Sequence, residues 1–304
     1  MIAPLPPGPP HLAGPPALTR RGAGLALLSL AVPALLPGMA RAQVQESGTI
    51  LVPGPEDGGF ARWATRASAA LTQGLQRPGA LRLSYLGGPD GVTAANRFAT
   101  LEGARGARFL VLPGWTCHAR LTGSTRARFE PGAWLPLLLT WQGAVLAGRG
   151  PLPFRGGAPL RVALPAPDAP EAAALAALDL LGIPARPLAG LSEAAFLAGE
   201  SDALIVTGAD PVGRAQALGA VPWYRLGSPA EGEVSEIPPL PGNSPAARGI
   251  LAAAAGLQMQ AALVMPPLTP ADTVAAWRRV AIRWQEEERA QPAEGQALIG
   301  AAAA

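Results

Sequence analysis

The chain has 304 residues, enough for two domains and a sizeable core, with 24 basic side chains, all of them arginine, and 21 acidic ones. A single cysteine, Cys117, excludes an internal disulfide, so stability must come from core burial. The formal net charge of +3 does not indicate nucleic-acid binding, because the excess lies in the first 42 residues.

Residues 1–42 are typical of an export signal. Arg20 and Arg21 precede an apolar run over Gly22–Leu36, and Ala40-Arg41-Ala42 matches a small-x-small cleavage site. We expect export to the periplasm with cleavage near Ala42. A retained membrane anchor is the alternative, although Pro33 interrupts the roughly 20 apolar residues that a spanning helix needs. The sequence leaves open whether the Sec or the twin-arginine route is used.

Removing this leader takes away three arginines and no acid. The mature chain then has 21 basic and 21 acidic side chains, a formal net charge of zero. We therefore expect no nucleic-acid partner.

The first element after the leader is a strand, glycine loop and helix. The apolar run Ile50–Val52 predicts a strand, residues 53–59 predict a turn, and apolar residues recur at helical spacing from Phe60 to Leu71. The N–H groups at the start of such a helix lack intrahelical partners and can bind an anion. From this stretch alone, an ordinary βα turn that needs glycine for positive φ is the favoured explanation. The candidate binding residues of this loop are Gly54, Asp57, Gly58, Gly59 and Phe60.

A second and a third unit repeat this pattern. Strands are predicted over residues 81–86 and 108–112, a helix over 92–101, and a turn over Pro113–Thr116. Strands that alternate with helices predict a parallel α/β sheet, whose ligands bind beyond the carboxyl ends of the strands. The candidate residues here are Tyr85, Gly87, Gly88, Trp115 and Thr116.

The rest of the chain predicts a second α/β series. Residues 135–141 and 144–147 are strand-like and are candidates for a crossing between domains. Further strands are predicted at residues 160–164, 203–207, 221–226 and 261–265, and helices at 170–181, 192–198, 212–218, 246–255 and from 269 to about 289. Asp210 follows a predicted strand and is a further candidate. The low-complexity tail, residues 290–304, is predicted to be disordered.

The order of these motifs resembles one family, the Bug-type periplasmic receptors of tripartite tricarboxylate transporters. The first loop, Pro53-Gly54-Pro55 with Gly58-Gly59, is similar to the family's Pro/Gly-rich first loop, and Tyr85-Leu86-Gly87-Gly88 is similar to its second. Residues 110–116, 178–183, 197–202 and 266–271 resemble later family motifs in the same order. Three departures stand out: Ala61 replaces the family's usual aspartate, Ser84-Tyr85 replaces a Glu-Asn pair, and the chain ends soon after Trp277.

This resemblance implies a type II periplasmic binding fold, with two α/β lobes around a ligand cleft. The first lobe would span residues 43–141 with 262–289 returning to it, and the second lobe 142–261. It implies a monomeric receptor that holds a small organic acid by main-chain N–H groups and delivers it to membrane permease subunits, without a cofactor or metal. A sensor or adaptor of the same fold is the alternative.

An α/β enzyme is the third possibility, and the sequence supports it least. Cys117 and His118 are the one sulfur and imidazole pair, and on an extended segment they would point to opposite sides. The other histidine, His11, lies in the leader, so the mature chain has no His-based triad or metal cluster. We therefore expect a protein that is not an enzyme.

Overall fold

The computed structural model describes residues 47–73, 80–101, 107–153, 157–190, 193–227, 236–290 and 297–300. The predicted export signal at residues 1–42 lies outside the described residues. No helix within the described ranges combines the length and the apolar character that crossing a bilayer requires.

Strands and helices alternate along most of the chain. The strands are β1 (Ser47–Pro53), β2 (Ala80–Leu86), β3 (Ala107–Leu112), β4 (Leu135–Trp141), β5 (Gly143–Gly148), β6 (Leu160–Leu164), β7 (Ala185–Ala189), β8 (Ala203–Gly208), β9 (Val221–Arg225), β10 (Met259–Met265) and β11 (Ala297–Gly300). The helices are α1 (Gly59–Gln73), α2 (Val92–Ala99), α3 (Gly114–Leu121), α4 (Ala173–Leu180), α5 (Glu193–Leu197), α6 (Pro211–Ala217), α7 (Pro245–Gln258) and α8 (Ala271–Ala290). Short 3-10 helices cover Pro131–Ala133 and Pro170–Ala172.

The first lobe is built on a six-stranded sheet with the strand order β11-β4-β10-β3-β1-β2. Strand β1 pairs in parallel with β2 and β3, as the sequence predicts, and β10 runs antiparallel between β3 and β4. The carboxyl ends of β1, β2, β3 and β4 and the start of β10 therefore share one edge of the sheet.

Both faces of this sheet are covered by apolar side chains. On one face α1 and α8 pack on the sheet, and Phe109 meets Trp277 edge-on at 5.0 Å between ring centroids. On the other face Phe98 of α2 meets Trp134 edge-on at 5.1 Å. These two cores hold the carboxyl edge of the sheet in place.

The second lobe is built on a five-stranded sheet with the order β7-β6-β8-β5-β9. Strand β6 is parallel to β7 and β8, and β5 is antiparallel to β8 and β9. Helix α7 buries Ile250, Ala254 and Leu257 in this lobe's core. The chain passes between the two sheets at the β4–β5 junction and at the α7–β10 junction.

Four details differ from the sequence-based expectations. The segment predicted to be a turn at Pro113–Thr116 begins helix α3, with Pro113 as an extended cap, so Cys117 and His118 lie on a helix. Strand β7 was not predicted, because Pro187 interrupts its pattern, and proline is tolerated there because β7 lies at a sheet edge. The predicted disordered tail contains β11, which pairs antiparallel with the otherwise open edge of β4. Strand β10 also begins at Met259, ahead of the expected return at residue 262.

Candidate ligand-binding site

A cavity of about 680 Å³ lies at the carboxyl edge of the first sheet. Its walls come from the loops after β1, β2 and β3, from the end of α7, and from the segments that join the two sheets. This is the edge at which parallel α/β sheets bind ligands.

The loop after β1 brings four of the five predicted residues to the cavity, namely Gly54, Gly58, Gly59 and Phe60. Gly54 has φ +82, and a Cβ built there would lie 3.5 Å from Cα of Pro89 in the neighbouring loop. The Gly58 N–H donates to the Pro55 carbonyl at 3.1 Å, so this amide closes the turn and is not available to a ligand.

The amides that remain available are those of the next two residues. The N–H groups of Gly59 and Phe60 have no acceptor among the described residues. The first turn of α1 carries no acidic side chain, so the positive end of the helix dipole is not compensated from within the helix. Ala61, which stands where the resembling family has an aspartate, is buried.

Arg62 adds a cation to the same wall. One of its guanidinium nitrogens, Nη1, donates to the Asp57 carbonyl at 3.0 Å, and it has no carboxylate partner among the described residues. Asp57 itself is exposed and does not line the cavity. Arg66, one helical turn later, is instead ion-paired with Glu288 of α8 at 2.9 Å. Of these two arginines, the structure places only Arg62 at the cavity.

The loop after β2 contributes residues other than those predicted. Gly87 and Gly88 are exposed and do not line the cavity, which receives Pro89 and Asp90 from this loop. Gly87 has φ +76, and a Cβ there would lie 2.5 Å from Cβ of Thr93, so the glycine is needed by the turn itself. Tyr85 is half-buried and packs against the sheet core instead of the cavity.

Asp90 is fully engaged within the protein. Its carboxylate accepts from Arg126 at 2.8 Å and from the Val92 N–H at 3.3 Å. Its carbonyl accepts from the Thr116 hydroxyl at 2.8 Å. Thr116, predicted as a ligand contact, is fully buried and joins the second loop to α3. Trp115, its neighbour, is 41% exposed and lines the cavity as predicted.

The far wall of the cavity was missed by sequence reasoning. It consists of Thr140, Gln142 and Gln260 with the apolar residues Leu257 and Met259. The Gln260 amide donates to the Gln142 side-chain carbonyl at 2.7 Å, and the Gln142 amide donates to the Leu257 carbonyl at 2.8 Å. The sequence signal that could have indicated this wall is a glutamine, Gln142 or Gln260, at each predicted crossing between the domains.

Asp210, predicted from its place after a strand, lies in the second lobe and not at the cavity. Its carboxylate accepts from the Gly213 N–H at 2.8 Å and caps α6. The cap accounts for this aspartate without a ligand.

The groups that an enzyme would need are poorly placed. Burial raises the pKa of the Cys117 thiol to about 11, so the nucleophilic thiolate is scarce at neutral pH. The His118 Nε2 lies 3.2 Å from the Asp168 carbonyl and is not bonded to the thiol. Within the described ranges, no group of three or more His, Cys, Asp and Glu side chains could hold a metal ion.

Solved structures with the same architecture identify the fold. A TctC solute-binding protein from Polaromonas superposes with a TM-score of 0.64 at 16% identity, covering 84% of this chain and 92% of that one. The chain has the two-lobed fold of the periplasmic solute-binding proteins. This confirms the type II periplasmic binding fold that the sequence motifs imply.

Two further structures share this periplasmic solute-binding fold. MatC from Rhodopseudomonas palustris, with bound malate, matches at TM-score 0.50 and 20% identity over 83% of this chain and 89% of that one. An R. palustris protein with adipate matches at TM-score 0.51 and 16% identity over 84% and 90%. Searches against protein-family models and curated protein sequences found no match.

Proposed function

We propose that the protein is a periplasmic solute-binding receptor of the Bug and TctC type, which captures a small organic acid in the cavity of the first lobe. The observation that carries this proposal is made among the described residues: at one wall of the cavity, the Gly59 and Phe60 N–H groups lack an acceptor and Arg62 lacks a carboxylate partner. Oriented amides at a helix start and a guanidinium are the groups that bind carboxylates.

The energetics of this anchor require help from the rest of the cavity. Three charge-assisted hydrogen bonds contribute about 1.5–3 kcal/mol each, against an association cost of at least about 4 kcal/mol. The remainder falls short of the roughly 8 kcal/mol of micromolar binding. Apolar contacts with Trp115, Leu257 and Met259 supply the difference in this proposal.

The fold and the predicted export signal support a role in solute uptake. The exported receptor would deliver its ligand to the membrane permease subunits of a tripartite tricarboxylate-type transporter, acting as a monomer. The malate and the adipate in two structures of this fold support an organic acid as ligand. The sensor or adaptor role would use the same binding site. Deletion of the permease genes separates the two roles, because it would abolish ligand uptake through a receptor and leave the response of a sensor intact.

The direct test is isothermal titration of the purified protein against mono-, di- and tricarboxylates, followed by analysis of the recovered ligand. We expect binding at micromolar or lower concentrations and an unchanged ligand. Absence of binding across the whole panel would contradict the proposal.

The Gly59→Val variant tests the amide anchor. A Cβ at Gly59 has only Arg62 Nη2 within 4 Å, at 4.0 Å, so the fold accepts the change while the side chain covers the free amides. We expect binding to be lost and the melting temperature to stay near that of the wild type. Gly132→Val is the matched control, because a Cβ at Gly132 meets nothing within 4 Å and Gly132 does not line the cavity. Equal affinity of the two variants would remove the amides from the site.

The Arg62→Ala variant tests the cation. Loss of one charge-assisted contact predicts about tenfold or greater weakening of carboxylate binding. Arg279→Ala, an exposed arginine of α8 that does not line the cavity, is the control for a lost surface charge. If both variants weaken binding alike, Arg62 acts only through the general charge of the protein.

A further inference from the structure

The charges around the cavity restrict the ligand more narrowly than the proposed function does. Arg62 and Asp90 are the only ionisable side chains that the described residues place in its wall. Asp90 is ion-paired with Arg126 at 2.8 Å, and its carboxylate also accepts from the Val92 N–H. Among the described residues, the cavity therefore offers one cation without a carboxylate partner, no second cation, and no carboxylate that lacks a cationic partner.

The dimensions of the cavity show where a second charged group would lie. The anchor follows β1, and the far wall is formed by the end of β4 and the start of β10, which lie three and two strands away from β1 in the sheet. Two to three strand spacings of about 4.8 Å separate the two walls by roughly 10–14 Å. A ligand of six or more carbons that is held at α1 extends toward the far wall, along Trp115, Leu257 and Met259.

The far wall is polar but neutral among the described residues. Gln142 is bonded through its side chain to Gln260 and to the Leu257 carbonyl, and the Thr140 hydroxyl is bonded to the Ala261 main chain at 3.1 and 3.2 Å. The side-chain oxygen of Gln260, Oε1, is buried without a partner among the described residues, so this wall still offers a ligand one neutral acceptor. A second carboxylate placed there would lose hydration without gaining a cationic partner, which is unfavourable. An ammonium group could donate to Gln260 Oε1 but would find no carboxylate there.

We propose that the ligand is a monocarboxylate with an uncharged, apolar body of six or more carbons or one aromatic ring. Its carboxylate accepts from the Gly59 and Phe60 N–H groups and from Arg62, and its body lies against Trp115, Leu257 and Met259. A second carboxylate, or an ammonium at the far end of the chain, is excluded by the cost of an unpaired charge. This inference rests on the proposed function, because it assumes the same anchor.

Calorimetric titrations with matched compounds test the inference. Hexanoate and adipate have the same carbon chain and differ in one carboxylate, 6-aminohexanoate adds one ammonium at the far end of that chain, and hexanamide lacks the charge. We expect hexanoate and 3-phenylpropionate to bind at least about tenfold more tightly than adipate, 6-aminohexanoate and hexanamide, since each of these adds an unpaired charge or removes the anchored one.

The possible outcomes bear differently on this inference and on the proposed function. Adipate or malate binding as tightly as hexanoate overturns the monocarboxylate inference and leaves the receptor proposal standing. Hexanamide binding as tightly as hexanoate removes the anion anchor. Absence of binding for every carboxylate overturns both proposals.

A substitution at the far wall provides an independent test. Met259 is half-buried, lines the cavity and has a side chain of nearly the length of lysine. Met259→Lys would supply the missing cation, so the affinity for adipate relative to hexanoate should rise at least about tenfold. Gln73→Lys, at the exposed end of α1, adds the same charge away from the cavity and should leave that ratio unchanged. An unchanged ratio in a folded Met259→Lys protein would contradict the assigned position of the ligand body.

Discussion

His118 is a single residue that joins the two lobes. It projects from α3 of the first lobe, its Nε2 lies 3.2 Å from the Asp168 carbonyl of the second lobe, and its Cβ lies 3.2 Å from a Cβ built at Gly256 of α7. Its Nδ1 is buried without a partner among the described residues. Burial lowers the pKa of His118 below 6.5, although the Asp168 carbonyl and carboxylate oppose this shift.

This pKa shift predicts a pH dependence of stability. Because the folded protein binds the proton of His118 less readily than the unfolded chain does, the free energy of unfolding should fall as the pH drops below about 6.5, and this loss should end below the folded-state pKa. The free energy of unfolding, measured by urea unfolding at several pH values between about 7.5 and 5, should change less steeply with pH in His118→Gln than in the wild type. The reason is that glutamine does not titrate in this range. Identical slopes in the two proteins would assign the pH dependence to other groups.

At the scale of elements, α3 and α7 approach each other through glycine. A Cβ at Gly114 would lie 2.3 Å from the carbonyl oxygens of Gly256 and Met259, which are main-chain atoms that cannot rotate away. The same segments supply Trp115, Gly256 and Leu257 to the cavity wall. The close contact between the helices therefore sets the shape of the cavity.

Gly114→Ala tests this packing. Forcing the two helices apart should lower the free energy of unfolding by about 1–3 kcal/mol and should also weaken carboxylate binding. Gly249→Ala, in the interior of α7 where a Cβ meets nothing within 4 Å, should instead stabilise by about 0.5–1 kcal/mol. Both are measured by urea unfolding, and a Gly114→Ala protein as stable as Gly249→Ala would show that α3 and α7 can separate freely.

The elements also show what the sequence could predict. The β1–α1 loop was predicted because glycines between an apolar strand and an amphipathic helix have a local cause. The Gln142 and Gln260 wall could not be predicted, because the two residues are 118 positions apart and meet only through the pairing of β4 with β10. Gly87 and Gly88 were assigned to the site from their place after a predicted strand. The structure shows that a Cβ at Gly87 would meet Thr93, so the turn itself needs this glycine, and that the cavity receives Pro89 and Asp90 instead.

At the scale of the whole molecule, two chain crossings join the two sheets among the described residues, and Gln142 connects these crossings. Its N–H donates to the Gln258 carbonyl at 2.9 Å, and its side chain reaches Leu257 and Gln260 on the returning crossing. A pair of short crossings is the usual place for hinge motion between domains. Among the described residues, the loops of the second sheet do not line the cavity, and that lobe contributes the end of α7.

Ligand binding should therefore close the second lobe over the cavity. A ligand at 100 times its dissociation constant should raise the free energy of unfolding by about 2.7 kcal/mol, and small-angle X-ray scattering should show a smaller radius of gyration if the second lobe rotates toward the first. The Gly59→Val protein, which should not bind, provides the control in both measurements. If the ligand stabilises the protein while the scattering curve stays unchanged, the first lobe and α7 hold the ligand without closure of the second lobe. A transporter would then have to recognise something other than a closed receptor.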